Sequence, residues 1–125
     1  ILPIKEIVFG PQFSGKAKVV TYDAKWETQS AEYLGTSTFD CPAKITQEEE
    51  EMVITATKKA CHALGVRDYC RFDIRLKDGI PYFIDYNANP ALGSRDASAL
   101  PSAVFGLSYP EFLAAIVAVA LKRYR

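Results

Sequence analysis

The sequence predicts an α+β fold: a mostly antiparallel sheet of hairpins with helices packed on one face. Three observations carry this. Residues 69–89 (YCRFDIRLKDGIPYFIDYNAN) hold two runs of alternating apolar and polar residues around a tight turn. Residues 46–64 instead repeat their apolar positions with helical spacing, and residues 108–123 open on a helix-capping pair and are apolar almost all round. The order of elements is strand, strand, long loop, helix, strand, strand, loop, helix, which places hairpins beside helices rather than strands alternating with them.

The chain has 125 residues, which predicts one compact domain over 1–125. It is 49% hydrophobic and 24% charged, a composition that folds. Lysine plus arginine and aspartate plus glutamate number 15 each. With no global basic field, nucleic acid is not expected as a partner. The three cysteines, Cys41, Cys61 and Cys70, lack paired spacing, which argues against a disulfide framework or a zinc site. A reducing, cytoplasmic setting is expected. No signal peptide is visible, and the longest apolar run, residues 112–121, is about half of a membrane span. The chain opens without Met inside a strand-like run, which suggests a piece of a longer chain.

Residues 2–9 read as a strand, and residues 17–22 (AKVVTY) as its hairpin partner. Between them, GPQFSGK ends in Ser-Gly-Lys but lacks the spacing of a phosphate loop, and no helix pattern follows. It reads as a hairpin loop. Residues 27–43 are polar and irregular, which suits either a functional lid or a mobile surface excursion.

A helix is expected over 46–64. Thr46 and Glu49 form a capping box, the acidic run 48–51 suits the helix N-terminus, and Gly65 can end it. It should pack on the apolar face of the 69–89 hairpin. His62 reads as a helix-surface residue. After the hairpin comes a loop over 88–98, then a short helix around 99–105 ended by Gly106. The last helix starts at Ser108, with Glu111 completing a second capping box. It is apolar almost all round, which predicts burial on more than one side. Lys122, Arg123 and Arg125 suit its C-terminus.

The hairpin carries the chemistry. In its first strand Cys70, Phe72, Ile74 and Leu76 alternate with Tyr69, Arg71, Asp73 and Arg75. In its second, Ile80, Tyr82, Ile84 and Tyr86 alternate with Phe83, Asp85 and Asn87. A two-residue Asp78-Gly79 loop would set each apolar row against a polar one. A three-residue Lys77-Asp78-Gly79 loop, with Gly79 in a G1 bulge, pairs like with like and is therefore predicted. That register puts Arg71, Asp73, Asp85 and Asn87 on one face. Two carboxylates and an amide oxygen are hard donors suited to magnesium, and an arginine beside them suits phosphate or carboxylate. A solvated surface of ion pairs explains the same residues equally well.

The stretch 71–90, RFDIRLKDGIPYFIDYNANP, resembles the C-terminal metal-binding strands of ATP-grasp enzymes. The branch it is most similar to is the D-alanine–D-alanine ligases and their relatives. Residues 22–26 (YDAKW), Cys41-Pro42-Ala43 and Leu107-Ser108-Tyr109 resemble further segments of that group, in the family's order. The resemblance covers residues 2 to about 121. It implies the second half of an ATP-grasp fold, with the N-terminal domain and first half absent. It implies ATP-dependent joining of a carboxylate to an amine through an acyl phosphate, as in cell-wall peptidoglycan synthesis.

By the resemblance, Asp73, Asp85 and Asn87 would hold Mg2+. Lys25 would touch the ATP phosphates, and Arg71 would stabilise the reacting phosphoryl group or the tetrahedral intermediate. Trp26 would belong to the closing loop, formed by residues 27–43. The backbone of Ala91 and the hydroxyl of Ser94 would meet substrate. Two departures stand out. Asp85 replaces the family's usual Glu, and Pro90-Ala91-Leu92-Gly93-Ser94 replaces Pro-Gly-Met-Thr. The substrates implied are small amino acids or peptides. An isolated half is expected to be inactive, and the face left by the missing half could drive a homodimer. The alternatives are an ATP-grasp ligase for another amino acid or peptide, or a non-catalytic module that binds nucleotide, metal or a protein.

Overall fold

The computed structural model describes residues 1–124, so Arg125 lies outside the described residues. The fold is α+β, with two antiparallel two-stranded sheets and helices. The chain forms two compact units, Ile4–Lys44 and a larger one made of residues 1–3 and 45 onward.

The smaller unit is built on β1 (Glu6–Val8) and β2 (Thr38–Asp40), paired antiparallel with Ile7 opposite Phe39. This corrects the expected hairpin. Residues 17–22 do not form a strand. Thr21 instead caps α1 (Tyr22–Trp26), accepting a hydrogen bond from the Ala24 N–H at 3.2 Å. A threonine hydroxyl that satisfies an orphan helix donor competes directly with the extended backbone a strand needs. The strand partner comes from the stretch read as irregular, which also holds α2 (Ala31–Gly35), capped by Ser30. Ser30 donates to the Asp23 carbonyl at 3.1 Å, linking the two short helices. Phe13 is buried and meets Phe9 edge-on at 4.9 Å. Gly35 is needed here, because a Cβ would lie 2.9 Å from the Phe13 ring. The Cys41–Pro42 peptide bond is cis.

The larger unit begins with α3 (Gln47–Ala63). Its capping box is formed as expected: Glu49 N–H donates to the Thr46 hydroxyl at 3.2 Å, and Thr46 N–H to the Glu49 carboxylate at 2.9 Å. Its end is a Schellman motif. Gly65, at φ +61°, donates to the His62 carbonyl, and Val66 to that of Cys61. The strands β3 (Arg71–Lys77) and β4 (Ile80–Asn87) follow. Ala60, Ala63 and Leu64 share a hollow with Phe72, Phe83 and Tyr86, so α3 lies on the apolar face of this hairpin, as expected.

Two helices complete the unit, α4 (Ala99–Val104) and α5 (Tyr109–Leu121), the latter with the Ser108–Glu111 capping box. A 3-10 turn follows at Lys122–Tyr124. Phe112 is buried, but Val117, Val119 and Leu121 are exposed, so the expected burial of α5 on several sides is not met within this chain. Arg123 donates to the Asp68 carboxylate at 2.7 Å, a role beyond the expected dipole contact. Among the described residues no helix is long and apolar enough to cross a membrane.

Candidate active site

The β3–β4 turn is not the one the sequence predicts. Lys77 pairs with Ile80, so the loop is the two residues Asp78 and Gly79, with φ +51° and +73°. Positive φ at both positions marks the type I′ turn, whose twist matches that of the strands. Next to the turn the register is odd with even: Leu76 faces Pro81, Arg75 faces Tyr82 and Ile74 faces Phe83. The register then shifts. Asp73 faces Asp85, Phe72 faces Tyr86 and Arg71 faces Asn87. Ile84 is the residue left over, a β-bulge in β4.

The bulge decides which side chains share a face. Phe83, on the turn side of the bulge, is set in the apolar row by the two-residue turn, against the expectation that it lies with Asp85 and Asn87. Phe83 meets Phe72 edge-on at 5.3 Å, and Tyr86 stacks on Phe72 at 5.0 Å. Beyond the bulge, Arg71, Asp73, Asp85 and Asn87 are brought to one face, as expected. The mechanism differs from the expected one, since the bulge restores the like-with-like pairing that the turn alone would deny.

Two carboxylates directly opposite one another repel, which weakens a hairpin unless a cation is near. Here the cation is Arg71. Its Nε donates to Asp73 Oδ1 at 2.8 Å and its Nη2 to Asp73 Oδ2 at 3.2 Å. The two side chains are 37% and 47% exposed, so the pair adds little stability. Asp85 makes no ion pair among the described residues. The half-buried Asn87 turns its amide oxygen toward the Asn89 N–H, which donates at 3.0 Å. Among the described residues no three His, Cys, Asp and Glu side chains gather, so a hard cation would rely on two carboxylates completed by an amide oxygen. On this face the Arg71 guanidinium already neutralises Asp73.

The loop after β4 carries Ala91 and Ser94, both exposed. It is held from two sides. Tyr109 donates its hydroxyl to the Leu92 carbonyl at 2.9 Å, and the Gly93 N–H donates to Asp96 Oδ2 at 2.5 Å. Neither Tyr109 nor Asp96 is a site residue by sequence: Tyr109 enters only with the start of the last helix, and Asp96 not at all. The only signal for Asp96 is its place three residues past Gly93, a common turn arrangement. Tyr69, which donates to Asn89 Oδ1, was likewise missed as a site residue. Lys25 and Trp26 lie in the smaller unit, on α1, where Ala24 faces inward and both are exposed.

A family model described as the D-alanine–D-alanine ligase C-terminus matches residues 5–118. The D-alanine–D-alanine ligase of Flavobacterium psychrophilum is 34% identical over 93 residues, which are 74% of this chain and 28% of that protein. The uncharacterized protein y4sG of Sinorhizobium fredii is 32% identical over 128 residues, 99% of this chain and 35% of that protein. Among solved structures, the D-alanine–D-alanine ligase of Bacillus anthracis complexed with ATP aligns at a TM-score of 0.62 and 27% identity, covering 66% of this chain and 29% of that one. The chain thus spans about a third of the length of the curated relatives it matches. With nearly its whole length matched, the chain belongs to the D-alanine–D-alanine ligase C-terminal family.

Proposed function

We propose that this chain is the C-terminal half of an ATP-grasp ligase that joins a carboxylate to an amine through an acyl phosphate. The observation that carries the reading is the Asp73–Asp85 pair, set face to face by a bulge with Arg71 beside it. Like-charged neighbours on a strand pair cost stability, and a site for Mg2+ gives them a purpose.

Asp73, Asp85 and Asn87 would hold Mg2+, which supplies positive charge next to the phosphates when bound. Arg71 is oriented by Asp73 and offers a planar donor fork to the transferring phosphoryl group or the tetrahedral intermediate. Lys25, exposed in the last turn of α1, would meet the ATP phosphates, and Trp26 would help to close the site. No hydrogen bond among the described residues engages the Ala91 N–H, which leaves it open to substrate. Ser94 would add a hydroxyl contact. D-Alanine is the first candidate substrate, since relatives named for that activity cover most of this chain. The isolated chain, carrying one wall of the nucleotide cleft, is expected to turn nothing over.

The test is phosphate release from ATP by the full-length protein across a panel of amino acids. Release with D-alanine is the expected result. A double variant, Asp85→Ala with Asn87→Ala, should abolish it. Full magnesium-dependent turnover by that variant would overturn the metal assignment.

A second reading is favoured by the loop after β4. Gly93 gives its amide to Asp96 rather than leaving it for substrate, and a relative matching 99% of this chain is uncharacterized. A ligase for a different amino acid or peptide fits those facts. Turnover with other acceptors only would support it, and no turnover at all would favour a non-catalytic nucleotide- or metal-binding module.

A further inference from the structure

We infer that Tyr69 and Asn89 are positioning residues for Asn87, setting the direction of its amide oxygen and so the divalent-cation affinity of this face. The inference rests on the proposed metal site. Its basis is a chain of two hydrogen bonds. The Tyr69 hydroxyl donates to Asn89 Oδ1, and the Asn89 N–H donates to Asn87 Oδ1.

The backbone explains why side chains take over at this point. The β3–β4 ladder ends at the Arg71–Asn87 pair. Positions 69 and 89 are the next same-face pair beyond it. Pro90 follows, buried and without an N–H, so the ladder cannot run on. The Asn89 N–H instead turns back to the Asn87 side chain two residues earlier, closing an Asx turn. That bond uses one lone pair of the amide oxygen and leaves the other for a cation. Where the free lone pair points depends on where the Asn89 backbone sits. The Asn89 side chain is tied across the hairpin end to Tyr69, two residues before the strand that carries Asp73. The phenol therefore fixes the spacing between the amide donor on one strand and a carboxylate donor on the other.

The two roles are separable by experiment. A hydroxyl that only closes the hairpin end would change stability, whereas one that aims a ligand changes cation affinity in a folded protein. The measurement is Mn2+ binding to the full-length protein without nucleotide, followed by the electron paramagnetic resonance of free Mn2+. Tyr69→Phe and Asn89→Ala should each weaken Mn2+ binding about tenfold, the lower end of the effect of removing groups that orient a metal ligand. The double variant should bind no more weakly than either single one, because both break the same link. Unchanged affinity in both single variants, with binding lost in Asn87→Ala, overturns the positioning role and leaves the metal site standing. Unchanged affinity in Asn87→Ala overturns the site itself. Losses that merely track the fraction of unfolded protein by circular dichroism, or that add in the double variant, also overturn the inference.

Discussion

Asp73 stands directly opposite Asp85, although the two-residue turn that joins their strands pairs odd positions with even ones. The two facts are reconciled by Ile84 alone. Had β4 run straight, Asp73 would face Ile84, and Asp85 would project to the apolar side with Phe72. The turn already sets Phe83 opposite Ile74 in the apolar row, and the one unpaired residue after it returns Asp85 to the polar residues. Bulges re-aim side chains next to functional sites, and this one separates an aromatic from a carboxylate that lie two residues apart.

Deleting Ile84 is therefore predicted to preserve the pairing. The turn would then run straight into Asp73 opposite Asp85, with Phe83 still on the apolar side. Ile84 is 69% exposed, so little burial is lost. The Asp73–Asp85 cross-strand contact should persist in nuclear Overhauser spectra of the deletion variant. Its replacement by an Asp85–Phe72 contact would show that the bulge does not set the register in this way.

The helices and the polar face of the hairpin were legible because their signals are local. Thr46 and Glu49, or Ser108 and Glu111, announce a helix start within four residues. The grouping of Asp73 with Asp85 is legible from alternation, although alternation alone favours a three-residue turn over the two-residue turn and bulge that produce it. Alternation reports which residues share a face, but a turn and a bulge can be exchanged for a longer turn without changing that result. The β1–β2 pair was not legible, since a three-residue strand has no measurable period and its partner lies some thirty residues away. Residues 17–22 misled because β-branched residues favour strands locally, while Thr21 was already committed to capping α1.

Gly79 tests the turn. At φ +73° it adopts a conformation that other residues resist, and a Cβ at this position would meet no atom within 4 Å. Gly79→Ala should thus cost only conformational strain, about 1 kcal/mol. Urea denaturation of the two proteins measures it. A stabilised variant would mean that the turn is not type I′.

Thr46 tests the helix start. Its hydroxyl and the Glu49 carboxylate satisfy one backbone donor each. Thr46→Ala should destabilise the larger unit by about 1 kcal/mol, and Thr46→Gly by less than that. Equal losses in the two variants, read from denaturation midpoints, would argue that the methyl group rather than the cap matters.

Cys70 should make stability fall in alkali. Its sulfur lies 3.9 Å from that of Cys61. Burial first, and then the neighbouring thiol, push its pKa up from 9.0 to about 11. The unfolded chain gives up this proton near 9.0, and the folded chain keeps it until about 11. Over that interval the folded state binds more protons, so this contribution is complete below pH 9.0 and shrinks as pH rises toward 11. Cys70→Ala should flatten the fall in denaturation midpoint over the same interval. An unchanged slope would place the titrating group elsewhere.

Arg71 separates function from stability. Its bond to Asp73 is exposed on both sides, and such pairs contribute less than about 1 kcal/mol. Arg71→Met keeps the apolar stem on the strand and removes the donor fork. Stability should change by no more than that amount. Under the proposed function, turnover should fall by about a hundredfold or more, the usual cost of losing a donor aimed at transition-state charge. Mn2+ affinity should rise, because Asp73 is freed from its resident cation. Full turnover in Arg71→Met would remove Arg71 from the reaction, and weaker Mn2+ binding would mean that the guanidinium organises Asp73 for the metal rather than competing with it.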